Sequence, residues 1–256
     1  MERFELAERC VREAGLMLRR SHIEEGDIAY KSSYHDLVTY WDKHTEQFLR
    51  QKILEVFPGD AIVGEEYPEA GGSDGVVWYI DPIDGTTNFV NQHRNYAISV
   101  GCWAQSEPLF GLVLDVERDA LYWAKKSEGA WRDQTRLHVS SRGELRSMLL
   151  TTAGVRQAFM ADNPWREQLV KLAKSVRAVR CLGSVAIELC ELAAGEADIF
   201  VAVRAEPWDY NAARVILEEA GGAIYDLDTQ PLPNDRKSTV LAVNSPETLQ
   251  MFRELI

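Results

Sequence analysis

Long hydrophobic runs are missing from this chain. Nothing in its 256 residues approaches the roughly 20 consecutive apolar residues of a membrane span, so no membrane partner is expected. The opening Met1-Glu2-Arg3-Phe4-Glu5 has neither the basic start nor the apolar core of a secretory signal. A cytoplasmic location is the expectation. Cysteine is scarce: Cys10, Cys102, Cys181 and Cys190 form no C-x-x-C pair and match no zinc spacing. They read as reduced thiols, mostly buried as small hydrophobes. None of the five histidines forms a metal-ligand pair at helical spacing. Positive charge is in short supply, and a net charge of −12 excludes general binding to nucleic acid polymers, which needs a basic face. The glycine-rich fingerprints G-x-G-x-x-G and G-x-x-x-x-G-K-[ST] are absent, which removes the common nucleotide folds. G-x-S-x-G is absent too, so nothing argues for a serine nucleophile.

The composition that remains, 46% apolar and 27% charged, is that of a globular protein with one large core or two small ones. Its densest chemistry lies in Trp78-Tyr79-Ile80-Asp81-Pro82-Ile83-Asp84-Gly85-Thr86-Thr87-Asn88-Phe89. An apolar strand ends there in two carboxylates, then a glycine and two hydroxyls. Gly85 can take backbone angles closed to other residues. Thr86 and Thr87 can open a helix whose free N–H groups attract an anion. Carboxylates for a hard cation beside N–H groups for an anion describe a metal–phosphate site. A plain Asp-Gly turn is the dull alternative.

Around that stretch the periodicities predict helices over 2–24 and Asp42–Val56, an extended hairpin over Ile28–Thr39, and a short strand Ala61–Gly64 with Glu65-Glu66 at its end. A loop spans 67–75. The segment 97–104, apolar or small on both faces, predicts a strand buried on both sides. Strands follow at Leu109–Val116 and Ala120–Ala124, with a turn at Ser127–Trp131. From about residue 145 strands and helices alternate: strands at Met148–Thr152, Val176–Cys181, Ala197–Val203 and Thr239–Val243, helices at Trp165–Ser175, Ser184–Ala194 and Trp208–Ala220, and a last helix from Ser245-Pro246. No repeat or long linker divides 1–256, so 1–144 (α+β) and 145–256 (α/β) are expected to share one domain.

Asp42, the Glu65-Glu66 pair, the Asp81/Asp84 pair and Asp209 each sit where an element begins or ends. Asp42 or Asp209 alone could be a helix cap, and the glutamates could be loop charges. Together, rigidly placed carboxylates repel unless a cation such as Mg²⁺ binds them. The segments 36–42, 64–66, 81–89 and Trp208-Asp209, with Leu182-Gly183-Ser184 and Gly221-Gly222, closely resemble the inositol monophosphatase family in order and separation.

The resemblance implies a layered α-β-α-β-α sandwich of the sugar phosphatase type, usually a homodimer, that hydrolyses a small phosphate ester with two or three Mg²⁺ ions and is inhibited by lithium. By matching position, Glu65, Asp81, Asp84, Asp209 and the carbonyl of Ile83 hold metal. Asp42 and Thr86 orient and deprotonate the attacking water, with Glu66 and Lys31 nearby. Gly85, Thr86, Thr87, Gly183, Ser184 and Val185, with Asp84 and Asp209, form the substrate site. Inositol-specific members carry a sugar-contacting Glu seven residues before the Trp-Asp aspartate, where this chain has Ala202. The substrate is therefore open among inositol 1-phosphate, fructose 1,6-bisphosphate and a nucleotide 3′-phosphate, and Arg204 is a candidate for a second phosphate. Two rivals stand beside this reading. A phosphatase with a nucleophilic aspartate would place its second Asp two residues on, whereas Asp81 and Asp84 are three apart. A non-catalytic regulatory binding protein would retain the fold without turnover.

Overall fold

The computed structural model describes residues 2–23, 25–30, 37–72 and 74–255. The chain opens with α1 (Arg3–Arg20), β1 (Ile28–Tyr30), β2 (Leu37–Thr39) and α2 (Tyr40–Val56). It continues through β3 (Ala61–Gly64), β4 (Ala70–Gly71), β5 (Val76–Asp84) and the short α3 (Thr86–Gln92). A meander follows: β6 (Ala97–Ala104), β7 (Glu107–Asp115), β8 (Ala120–Lys125), β9 (Gly129–Arg132) and β10 (Thr135–Arg136). Strands and helices then alternate as β11 (Leu149–Thr151), α4 (Arg166–Ser175), β12 (Ala178–Arg180), α5 (Val185–Ala193), β13 (Ile199–Ala205) and α6 (Pro207–Glu219). The chain closes with β14 (Ala223–Tyr225), β15 (Ser238–Val243) and α7 (Pro246–Leu255).

Among the described residues, two large sheets between three helical layers result, with the two-stranded β1–β2 pair beside them. The larger sheet has the order β10-β9-β8-β7-β6-β5-β3-β4, antiparallel except where β3 meets β5. The smaller has the order β12-β11-β13-β15-β14, parallel only around β11. Alternate side chains of a strand point to opposite faces, so β5 serves two cores. Trp78 and Ile80 meet Leu6, Val11, Leu49 and Ile53 from α1 and α2 on the outside. Tyr79 faces inward, where Leu189 of α5 and Ile216 of α6 fill the space up to Phe200 and Val240 of the smaller sheet. Leu169 and Leu172 of α4 and Leu249 and Phe252 of α7 cover that sheet's far face over Leu150, Val201 and Leu241. Each such side chain contributes roughly 1.5–3 kcal/mol on full burial. The layers are therefore α-β-α-β-α.

The expected elements are present with shifted ends. The first helix stops at Arg20 because Ser21 turns extended and its N–H and hydroxyl both bond the Leu18 carbonyl. The second begins two residues early because Thr39, not Asp42, is its cap. The hairpin is seen as β1 paired with β2, Ile28 opposite Thr39. The expected turn at Ser127–Trp131 is half strand: Ala130 and Trp131 of β9 pair with Ala124 and Trp123 of β8. β4 and β14 are short strands that periodicity did not reveal, two and three residues long. Among the described residues no helix is long and apolar enough to cross a membrane.

One close approach positions the site. Gly101 of β6 pairs with Gly111 of β7, and the backbone of α6 at Asn211–Ala212 rests directly on that pair. A Cβ on Gly101 would stand 3.0 Å from the Ala212 nitrogen, and one on Gly111 2.8 Å from the Ala212 carbonyl carbon. Both are inside van der Waals contact. Only glycine lets α6 sit this deep, and α6 carries Asp209 in its first turn.

Candidate active site

The site grows from the register of two parallel strands. Gly64 of β3 pairs with Ile80 of β5, so the next residues, Glu65 and Asp81, leave the same sheet edge side by side. Asp81 and Asp84 would face opposite ways in a regular strand. A bulge prevents this: Asp81 pairs with Ser99 and Asp84 with Ala97, so three steps on β5 match two on β6. The extra residue restores the parity and turns both aspartates to one face. Gly85 follows with φ of 94°, a left-handed turn that suits glycine, and starts α3.

Each carboxylate is held by neutral donors. Asp81 Oδ1 accepts the Ile83 N–H at 3.0 Å. Asp84 accepts the Ser184 hydroxyl and the Ala186 N–H, each at 2.6 Å, and the Val185 N–H at 3.3 Å. This ties β5 to the first turn of α5. Asp42 Oδ2 takes the N–H of Thr39 at 2.7 Å and its hydroxyl at 2.6 Å. Asp42 Oδ1 lies 2.9 Å from Thr86 Oγ1, which is also 3.0 Å from the Ile83 carbonyl. Asp209 Oδ2 accepts the Glu206 N–H at 2.8 Å. Asp42 and Asp209 are thus third residues of their helices, each bonded back to the cap residue's N–H, rather than caps themselves. Asp209 stays partly open to solvent, whereas Asp42 is sealed.

The electrostatics are those of an acidic cluster. Burial pushes Asp81 well above the usual carboxylate range, and the charges of Glu65, Asp84, Asp209 and Asp42 push the same way. Burial and Asp84 do likewise to Asp209. Burial raises Asp42 and Asp84 to about 6 each against the lowering effect of their hydrogen bonds. Among the described residues, the charges that press hardest on Asp81 are other carboxylates, drawn from β5, α2, α6 and the end of β3. Oxygen-only donors of this kind suit a hard divalent cation. Among the described residues no three His, Cys, Asp or Glu side chains already stand grouped as a cage. The carboxylates adjoin and repel without closing on one point.

The loop before α5 completes the wall. Gly183 has φ of 82°, and Asn88 Nδ2 donates to the Leu182 carbonyl at 2.6 Å and to Asn95 at 2.8 Å. Glu188, unforeseen from the sequence, holds this loop from beneath. Its Oε1 accepts the Leu182 and Gly183 N–H groups at 2.7 and 3.0 Å, and burial raises it to about 7. Its spacing after Gly183 was the one available signal, because its partners are backbone groups. Val185, Ala202 and Arg204 line one cavity of about 140 Å³ with Ala153, Gly154, Val203 and Gln157. The Arg204 side chain is 68% exposed and 3.8 Å from Glu206. Thr87 is exposed, and its carbonyl accepts from Asn91. Glu66 gives its N–H to Glu46. Lys31 lies outside the described residues.

A five-layer sandwich with this acidic edge is the α/β sugar-phosphatase fold, and the protein is of the phosphoric monoester hydrolase class. Residues 2–255 match the sequence profile of the inositol monophosphatase family, and the chain belongs to that family. It is 39% identical to the inositol-1-monophosphatase of Bacillus subtilis over 98% of this chain and 96% of that one. It is 33% identical to mouse inositol monophosphatase 1 over 91% and 86%. Inositol monophosphatase-II from Staphylococcus aureus superposes with a TM-score of 0.85 at 31% identity, over 98% of this chain and 94% of that one. Structures of SaIMPase-II exist with inositol monophosphate bound and with 2′-AMP bound, each with a TM-score of 0.85.

Proposed function

We propose that this protein is a Mg²⁺-dependent phosphatase of a small phosphorylated polyol or sugar, with water as the nucleophile. The observation that carries it is the acidic surroundings of Asp81 and Asp209, on which the charges of Glu65 and Asp84 press together. Carboxylate charges crowded around the buried Asp81 need either protons or cations, and their oxygens suit magnesium. Glu65, Asp81, Asp84, Asp209 and the Ile83 carbonyl would hold it. Magnesium there would supply positive charge for the phosphate oxygens and lower the pKa of water.

The chain's own groups do the rest. Thr86 Oγ1, 2.9 Å from Asp42 Oδ1, accepts a hydrogen bond from the attacking water and passes its own proton to Asp42, so the water's proton has a path into the protein. Glu66 assists this relay, and Lys31, outside the described residues, is given the same role from the sequence resemblance alone. The Gly85 and Thr86 N–H groups receive the phosphate, with Thr87 at its rim. Asp84, fixed by Ser184 and Ala186, turns toward the hydroxyl beside the ester. Water adds to phosphorus as the P–O ester bond breaks, and the departing alkoxide takes a proton from solvent water, which leaves inorganic phosphate and an alcohol. The site draws on elements from β2 to α6, which supports reading 1–256 as one domain. Lithium sensitivity and a cytoplasmic homodimer complete the reading.

The leaving alcohol lies against Gly183, Ser184, Val185, Ala202 and Arg204. Inositol 1-phosphate is the first candidate, since the Bacillus relative is an inositol-1-monophosphatase. A bisphosphate such as fructose 1,6-bisphosphate is second, because Arg204 lines the cavity beside Val185 and Ala202. A nucleotide phosphate is third, because SaIMPase-II holds 2′-AMP. The test is phosphate release from these esters with Mg²⁺, with EDTA and with Li⁺. Release that persists in EDTA, or a phospho-aspartyl intermediate, would overturn the proposal.

A further inference from the structure

Glu46 has no role in the chemistry above, yet its surroundings are built with care. It lies one turn after Asp42 and one turn before Arg50 on the same face of α2, and it is 0% exposed. Its carboxylate accepts the Glu66 N–H at 2.7 Å and the Tyr67 N–H at 3.3 Å. Arg50 Nη1 pairs with it at 2.8 Å, and Arg50 Nη2 donates to the Pro68 carbonyl at 2.5 Å. Backbone groups of three consecutive residues, 66 to 68, are therefore gripped by one acid–base pair. Gly64 leaves the room. A Cβ there would stand 2.6 Å from Glu46 Cδ and 2.9 Å from Oε2, too close for any side chain. Isolated burial of a carboxylate is costly. Placing one against an acidic site invites a reason.

We propose that Glu46, countered by Arg50, is a positioning residue that sets the turn after β3 and so aims the Glu65 and Glu66 carboxylates at the cation site. This rests on the reading of Glu65 as a metal carboxylate. Glu65 and Glu66 are half-buried and the chain is exposed by Pro68 and Glu69, whereas Glu46 and Asp42 are anchored on a helix. The single helix α2 thus carries Asp42 for the proton relay and Glu46 for the metal side.

Supporting groups of this kind cost about 10–100-fold in metal affinity when altered. The test measures Mn²⁺ binding to the purified full chain by the loss of the free-ion EPR signal, together with the melting temperature with and without Mn²⁺. Glu46→Asp keeps the charge opposite Arg50 but withdraws the oxygens from the Glu66 and Tyr67 amides. Glu46→Gln keeps the length but removes the charge. Both are expected to bind Mn²⁺ about 10-fold more weakly and to show a smaller rise in melting temperature at fixed Mn²⁺, restored by about ten times more ion, as mass action requires. A lower melting temperature with unchanged Mn²⁺ affinity and an unchanged Mn²⁺-induced rise would reduce Glu46 to a structural residue and overturn the proposal. Glu46→Asp carries the test alone if Glu46→Gln does not fold. Failure of the wild-type chain to bind Mn²⁺ would instead overturn the metal reading itself, and this proposal with it.

Discussion

Replacing Gly111 by alanine tests how α6 delivers Asp209. The added Cβ would stand 2.8 Å from the Ala212 carbonyl carbon and 3.0 Å from its Cα, where packed carbons settle at roughly 3.5–4.0 Å. These are backbone atoms, so no side chain can swing aside, and α6 must lift by about 1 Å. Ala212 is three residues beyond Asp209 in the same helix, so the lift reaches the carboxylate almost undiminished. Overpacking of this kind costs about 1–3 kcal/mol, which lowers the melting temperature of a chain this size by roughly 5 °C. A misplacement of about 1 Å costs on the order of 10²-fold in rate. Initial rates of phosphate release at saturating Mg²⁺, beside thermal melts, read both effects. Gly143→Ala is the control, because a Cβ there meets nothing within 4 Å. A Gly111→Ala enzyme with a lowered melting temperature and a wild-type rate would refute the coupling of helix depth to the site. Wild-type values of both would show that the strands yield instead.

Further predictions address the carboxylates and the cavity. Asp84→Asn removes a charge beside which Asp81 and Asp209 are arranged, and turnover is expected to fall about 10²–10³-fold; a wild-type Mg²⁺-dependent rate would sink its assigned role. Glu188 is raised from its ordinary 4.5 to about 7 by burial. The folded chain thus holds that proton more tightly than the unfolded one, and the stability this gives is full below about 4.5 and lost as pH rises through about 7. In EDTA-treated protein, denaturant unfolding of Glu188→Gln should lose about 2 kcal/mol less than wild type between pH 5 and 8; equal losses would mean that Glu188 titrates normally. Arg204→Ala should lower kcat/KM for a sugar bisphosphate about 10-fold more than for its monophosphate, in keeping with a charge-assisted bond. Equal effects on the two would remove Arg204 from the pocket.

Much of the fold was legible because it rests on local rules. Helical spacing of Ala7, Val11, Ala14 and Leu18 marked α1, and all four are buried. The doubly apolar segment of β6 is buried along nearly its whole length. The boundaries that moved did so for short-range polar reasons, Ser21 turning back to Leu18 and Thr39 pre-empting Asp42 as cap. β9 was obscured because Gly129-Ala130-Trp131 looks like a turn until β8 pairs with it.

The division at the site has one physical cause. Residue types and their order determined the chemistry: acids at element ends, Gly85 where the chain must turn left-handed, hydroxyls after it. The tertiary structure decided the aim. Only strand pairing shows that an extra residue puts Asp81 and Asp84 on one face. Only the glycine pair beneath α6 brings Asp209 within the field of Asp84. Glu188 stayed hidden because its partners are the N–H groups of Leu182 and Gly183, and the i, i+4 spacing of Glu46 and Arg50 says nothing of the Glu66 and Tyr67 N–H groups that Glu46 also accepts. A backbone donor has no letter of its own, so its acceptor is recognised only when the chain has folded around it.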